Sequence, residues 1–218
     1  MALDRIPVEA AAALGLAGVI AGLLIARIRL ARPAAEAASR GGARVLSLTA
    51  GGFAIGLWSA LGQPSVTAAL LTALFGWQLL LIAAVDAEHF WLPDRLTFPL
   101  AATGLVAAAA LETHLLADAV IGAAAGFAAL WLLALAYRQL RGREGLGGGD
   151  PFLLAAIGAW VGWAGLPGVL LWAGVAGLSV VAGRAAAGRP LSGADRLPFG
   201  VFLAIGGWLT WVLGPLGG

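Results

Sequence analysis

Cysteine and lysine are both absent from the 218 residues, and charge of either sign is scarce at 11%. Without cysteine there is no disulfide, no thiolate nucleophile and no cysteine-held zinc or iron–sulfur centre. A soluble domain carries about 25% charged residues, so the low charge points away from a water-exposed surface. The remainder agrees, with 61% hydrophobic residues, 33 glycines, nine tryptophans and a mean hydropathy of +0.95. This is the composition of a membrane protein, and the length suits one domain, residues 1–218, of several spans. All the side-chain cations that remain are arginines, 13 against 11 acids, for a net charge of +2. Nucleic acid would need a continuous basic surface, whereas these arginines lie scattered between apolar segments and read as topology signals.

The apolar segments predict an all-α polytopic protein of eight transmembrane helices. They run about Val8–Ala26, Val45–Leu61, Val66–Val85, Leu96–Leu111, Ala119–Tyr137, Pro151–Trp163, Val169–Gly183 and Phe199–Leu213. The first is preceded by acids as well as Arg5 and is followed by Arg27, Arg29 and Arg32. That is not the charge order of a cleaved signal peptide, so a retained span is expected. Residues 27–44 form a polar connection, Gly62-Gln63-Pro64-Ser65 a tight turn, and Gly165–Gly168 with Pro167 another turn. Alternation of eight spans puts Arg27–Arg44, Arg95, Arg138–Arg143 and Arg184–Arg196 on one side, twelve of the thirteen arginines. The positive-inside rule makes that side cytoplasmic and leaves both termini outside. Contact of residues 27–44 with anionic lipid is a lesser expectation.

Two acidic points stand out in so apolar a chain. Val85-Asp86-Ala87-Glu88-His89-Phe90-Trp91-Leu92-Pro93-Asp94 ends the third span, and Gly147-Gly148-Gly149-Asp150 opens the sixth. Although 64 residues apart, Asp86 and Asp150 both reach the cytoplasmic face in this topology. An acid at a membrane boundary is a candidate functional group by default. Two carboxylates that share a site keep a proton between them. The ionised one can then take a proton from water while the protonated one polarises a peptide carbonyl.

Each of these residues also has a plainer reading. Asp150 before Pro151 can be a helix cap, although capping leaves three glycines unexplained; these permit close backbone approach and unusual dihedrals. Asp86 can be a helix-terminal acid among headgroups, and Asp94 a cap for the fourth span. Glu88 and His89 lack a further histidine on their side of the membrane, which argues against a metal site. The glycine run lacks the Lys and Ser or Thr of a phosphate loop. Gly122–Gly126 and Gly158–Gly162 fit close packing of spans. A small transporter is disfavoured by the lack of a polar path through the span centres.

The stretch Val85–Asp94, Gly147-Gly-Gly149-Asp150 with the Phe152–Trp163 run, and Leu197-Pro198-Phe199-Gly200-Val201-Phe202 together resemble the type IV prepilin peptidase family, the GxGD intramembrane aspartyl proteases. The resemblance covers roughly residues 66–215. It implies that Asp86 and Asp150 are the catalytic pair; Gly147, Gly149 and Asp94 are expected in support, and no cofactor or metal is expected. It implies cleavage of the basic leader of a prepilin or pseudopilin substrate at the cytoplasmic face of the bacterial inner membrane, in a pilus or type II secretion system. Two departures are visible. Pro151-Phe152 stands where many members have a residue and then Lys. Residues 27–44 are also too short for the zinc-binding cytoplasmic domain associated with N-methylation. The expectation is therefore a peptidase without methyltransferase activity, and the alternative is an inactive homologue that binds substrate or assists assembly.

Overall fold

The structure is a computed structural model and describes residues 6–27, 34–111, 116–142, 145–189 and 197–216. Arg5, Glu112, His114, Arg143 and Arg196 lie outside the described residues. The described chain is helical: α1 (Val8–Arg27), α2 (Ala34–Gly62), α3 (Val66–His89), α4 (Asp94–Leu111), α5 (Leu116–Arg141), α6 (Asp150–Ala186) and α7 (Phe199–Leu213). α1, α2 over Gly42–Gly62, α3, α5 and α6 are long and apolar enough to cross a membrane. In lipid a chain must satisfy its backbone amides internally, which favours such helices. Their outer faces carry exposed Leu16, Ile20, Leu24, Leu46, Trp58, Leu132 and Leu178, more apolar surface than a soluble monomer tolerates. The protein is a multi-pass membrane protein.

The helices form two compact units, residues 1–81 and 82–218, with α3 contributing to both. In the first unit, α1 and α2 run antiparallel at backbone contact. A Cβ on Gly18 would strike the Gly52 carbonyl oxygen, one on Gly22 that of Leu48, and one on Gly56 that of Leu14. Small residues buy this proximity, which dispersion forces then stabilise. Leu14, Ala60, Ala69 and Ala73 form the buried core, with Ile6, Ala11 and Trp77 packed against it. Trp77 donates its indole N–H to the Gly52 carbonyl at 3.1 Å. Arg44 Nη1 donates to the Ala26 carbonyl at 2.9 Å, satisfying one of the orphan carbonyls at the end of α1.

The second unit is organised by α6. Gly126 of α5 abuts Leu154 and Gly122 abuts Gly158 and Gly162, so α5 runs antiparallel to the first part of α6. Ile157 lies against Gly207 of α7, and Trp160 meets Trp211 edge-on at 5.5 Å. α7 therefore runs parallel to that first part. Farther along α6 the order inverts: Gly168 meets Thr210, Val169 meets Gly206, and Gly177 meets Phe202. The two parts of α6 are consequently antiparallel arms. The reversal falls at Gly162, whose φ of 69° and ψ of 174° leave helical geometry, a conformation open to glycine and closed to most other residues. α4 lies against the first arm, where Trp160 donates its indole N–H to the Leu100 carbonyl at 2.8 Å.

Several boundaries differ from the sequence reading. α2 begins at Ala34, so part of the expected 27–44 connection is helical, consistent with the high helix propensity of alanine and arginine. α3 continues to His89, which places Asp86 inside its last turn and not beyond it. The expected sixth and seventh spans are the two arms of α6, and the chain turns at Gly162 in place of Gly165–Gly168. Pro167 is accommodated within the second arm near its start, where early amides lack helical partners. Among the described residues, seven helices thus stand where eight separate spans are expected, and α4 and α7 fall outside the five candidate crossings.

Candidate active site

Asp86 and Asp150 are both 4% exposed, and their carboxyls are close enough to interact electrostatically. The fold reaches this by delivering the last turn of α3 and the first residue of α6 to the same place. A buried acid needs hydrogen-bond partners, and the two obtain them differently. Asp150 is served locally: its Oδ2 accepts the Gly147 N–H at 2.9 Å, while its own N–H donates to the Gly147 carbonyl at 3.1 Å. Asp86 is served from 115 residues away, its Oδ2 accepting the Val201 N–H at 3.1 Å. The Gly200 amide also donates to it. These amides lie in the first turn of α7, where the helix dipole favours an anion, and the Val201 N–H is shared between Asp86 and the Pro198 carbonyl at 3.2 Å.

Glycine permits both approaches. A Cβ on Gly200 would lie 2.8 Å from Asp86 Oδ2 and 2.9 Å from Leu92 Cδ1; one on Gly149 would lie 2.7 Å from Leu92 Cβ. A Cβ on Gly147 would lie 3.0 Å from Asp150 Oδ2, and Gly148 faces open space. Gly147 and Gly149 therefore serve close approach and not unusual dihedrals: none of the three glycines has a positive φ, and Gly149 has ordinary helical angles, φ −84° and ψ −19°. Nor does Asp150 cap α6. It is the first residue of the helix, Gly149 occupies the cap position without a side-chain cap bond, and the Asp150 carboxylate is turned to Gly147.

The other expected residues divide. Asp94 is exposed at the start of α4, where an acid complements the positive end of the helix. Glu88 and His89 face each other at 3.9 Å, and no group of three or more histidines and acids suited to a metal occurs among the described residues. Phe152 stacks edge-on against Phe127 at 5.1 Å, so an apolar contact occupies the position after Pro151. Gly200, Val201 and Leu92 were not singled out by the residue-level reading. Gly200 and Val201 fall in the Leu197–Phe202 block of the family resemblance, but nothing in the block assigns them a role, because an amide donor leaves no side-chain signature.

Comparison with known proteins bears on the same segments. Residues 73–182 match the model of the type IV leader peptidase family. This chain belongs to that family. Both buried aspartates fall inside the matched region, while the α7 amides lie beyond it. Among curated relatives, a prepilin leader peptidase/N-methyltransferase of Aeromonas hydrophila is 40% identical over 161 residues, 74% of this chain and 54% of the relative. One of Dickeya chrysanthemi is 44% identical over 159 residues, covering 72% and 55%. One of Burkholderia pseudomallei is 42% identical over 172 residues, covering 78% and 54%. The chain thus spans about half the length of these relatives. No solved structure matches it.

Proposed function

We propose that the chain is an intramembrane aspartyl endopeptidase that removes the basic leader from a type IV prepilin-like or pseudopilin protein. The observation that carries this reading is the pair of buried carboxylates, Asp86 and Asp150, each held by backbone amides and close enough to the other to interact electrostatically. With one proton shared between them, the ionised carboxylate takes a proton from a water molecule, which attacks the scissile carbonyl carbon. The protonated carboxyl hydrogen-bonds the carbonyl oxygen as negative charge develops there. Collapse of the tetrahedral intermediate breaks the C–N bond, and a carboxyl proton passes to the leaving amine. Membership in the type IV leader peptidase family and the names of the relatives support the choice of substrate.

On this reading residues 1–218 form a single membrane domain, with the catalytic core at 66–215. Both termini lie outside and the site opens to the cytoplasm of a bacterial inner membrane. The arginine distribution supports that orientation. Gly147 and Gly149 support the Asp150 turn, while Asp94 contributes from the start of α4. Only six residues separate α1 from α2, which leaves no room there for an inserted methyltransferase domain. The chain acts as a peptidase without methylating the new amino terminus.

The test is cleavage of a prepilin-like reporter, a basic leader joined through Gly-Phe to an apolar helix, by the purified protein in detergent or nanodiscs. Asp86→Asn and Asp150→Asn are each expected to abolish cleavage while the protein stays folded in the membrane. Wild-type rates from either variant sink the mechanism. The competing reading, an inactive homologue that binds substrate, draws on the Phe152–Phe127 contact where many members have Lys. Capture of the reporter without cleavage by the unaltered protein selects it.

A further inference from the structure

Between α3 and α4 the chain is non-helical and carries three large apolar residues in succession, yet only one of them is buried. Phe90 is 47% exposed, Trp91 64% and Leu92 5%. The backbone on either side of Leu92 is constrained. Phe90 has a φ of +52°, the left-handed region that a bulky residue seldom occupies. Pro93 restricts Leu92 itself to extended conformations. The segment therefore presents Leu92 inward in a set direction.

What Leu92 meets there is both halves of the site. Gly149, the residue before Asp150, approaches the base of the side chain, with would-be Cβ distances of 2.7 Å to Leu92 Cβ and 3.1 Å to its carbonyl oxygen. Gly200, whose amide serves Asp86, approaches the tip, at 2.9 Å to Leu92 Cδ1. One face of the residue thus backs the turn that holds Asp150, and its end backs the helix terminus that holds Asp86.

We propose that Leu92 is a positioning residue, a spacer between the Asp150 turn and the α7 terminus that fixes the separation of the two carboxylates. This rests on the peptidase reading for its catalytic consequence, but the spacing is a property of the folded chain alone. Interiors are packed densely enough that removing a spacer lets its neighbours shift, and reaction geometry is sensitive to shifts of about 1 Å.

The experiment has two readouts. In reporter cleavage, Leu92→Ala is expected to lower kcat about tenfold or more with KM within about twofold, and Leu92→Met to restore at least half of the wild-type kcat. In the second readout, the lack of native cysteine lets Asp86→Cys/Asp150→Cys be joined by a short bis-methanethiosulfonate, which forms a disulfide with each thiol as a sulfinate leaves. Leu92→Ala in that background is expected to slow cross-linking several-fold, and Leu92→Met to leave it unchanged. If Leu92→Ala fails to fold, Leu92→Val removes the tip that meets Gly200 while keeping Cβ against Gly149, and the same two losses are expected in reduced degree. Unchanged cross-linking in the folded Leu92 variants overturns the proposal, as does an effect on KM alone. A wild-type protein that never cuts the reporter defeats the peptidase reading, and the cross-linking rate still decides the role of Leu92.

Discussion

The α1–α2 pair and the Asp86–Asp150 site both depend on glycine, but to different ends. In the first, Gly18, Gly22, Gly52 and Gly56 let one helix backbone rest on another. At the site, Gly149 and Gly200 admit side chains, Leu92 to the one and both Leu92 and Asp86 to the other. A methyl group in the first place meets rigid backbone and costs packing energy; in the second it displaces a carboxylate or its support. The same substitution should therefore separate stability from activity according to where it is made.

The largest expected effect is at the carboxylates themselves. Asp86→Asn and Asp150→Asn remove a proton acceptor and should lower the rate of reporter cleavage by about 10²–10⁴-fold, read as kcat with protein that remains folded. Next, Gly200→Ala puts a methyl group against the Asp86 carboxylate and should lower kcat by about 10–100-fold, with a thermal midpoint in detergent shifted by only a few degrees. The reverse pattern is expected for Gly22→Ala or Gly52→Ala. Overpacking there should destabilise by about 1–3 kcal/mol, measured by detergent unfolding, with kcat per folded molecule within about twofold. A loss of kcat from these variants as large as that from Gly200→Ala breaks the comparison. Gly148→Ala should do least, because its Cβ meets nothing within 4 Å, and a rate within about twofold of wild type is expected.

Much of this architecture is legible in the sequence because lipid imposes simple rules. Apolar runs match α1 and α7 to within a residue and α3, α4 and α5 to within two to four, and the expectation that Asp86 and Asp150 come together agrees with their electrostatic contact, although the eight spans it was argued from are not all present as separate helices among the described residues. The position of the chain reversal in α6 was not legible. Pro167 and its flanking glycines look like a turn, yet a proline near a helix start costs little, whereas the isolated Gly162 supplies the backbone angles. Leu92 was hidden for another reason. It sits among Phe90 and Trp91 in one apolar string, and only the fold distinguishes the buried member. The α7 amides were hidden because any residue except proline carries one.

The fold-back of α6 also has an electrostatic consequence. Because its arms are antiparallel and α5 runs against the first, the C-terminal end of α5, with Arg138 and Arg141, and the end of the second arm, with Arg184, lie on the same face as Asp150. That end of the second unit therefore collects charge of both signs, arginines at two helix termini and the buried carboxylates of Asp86 and Asp150.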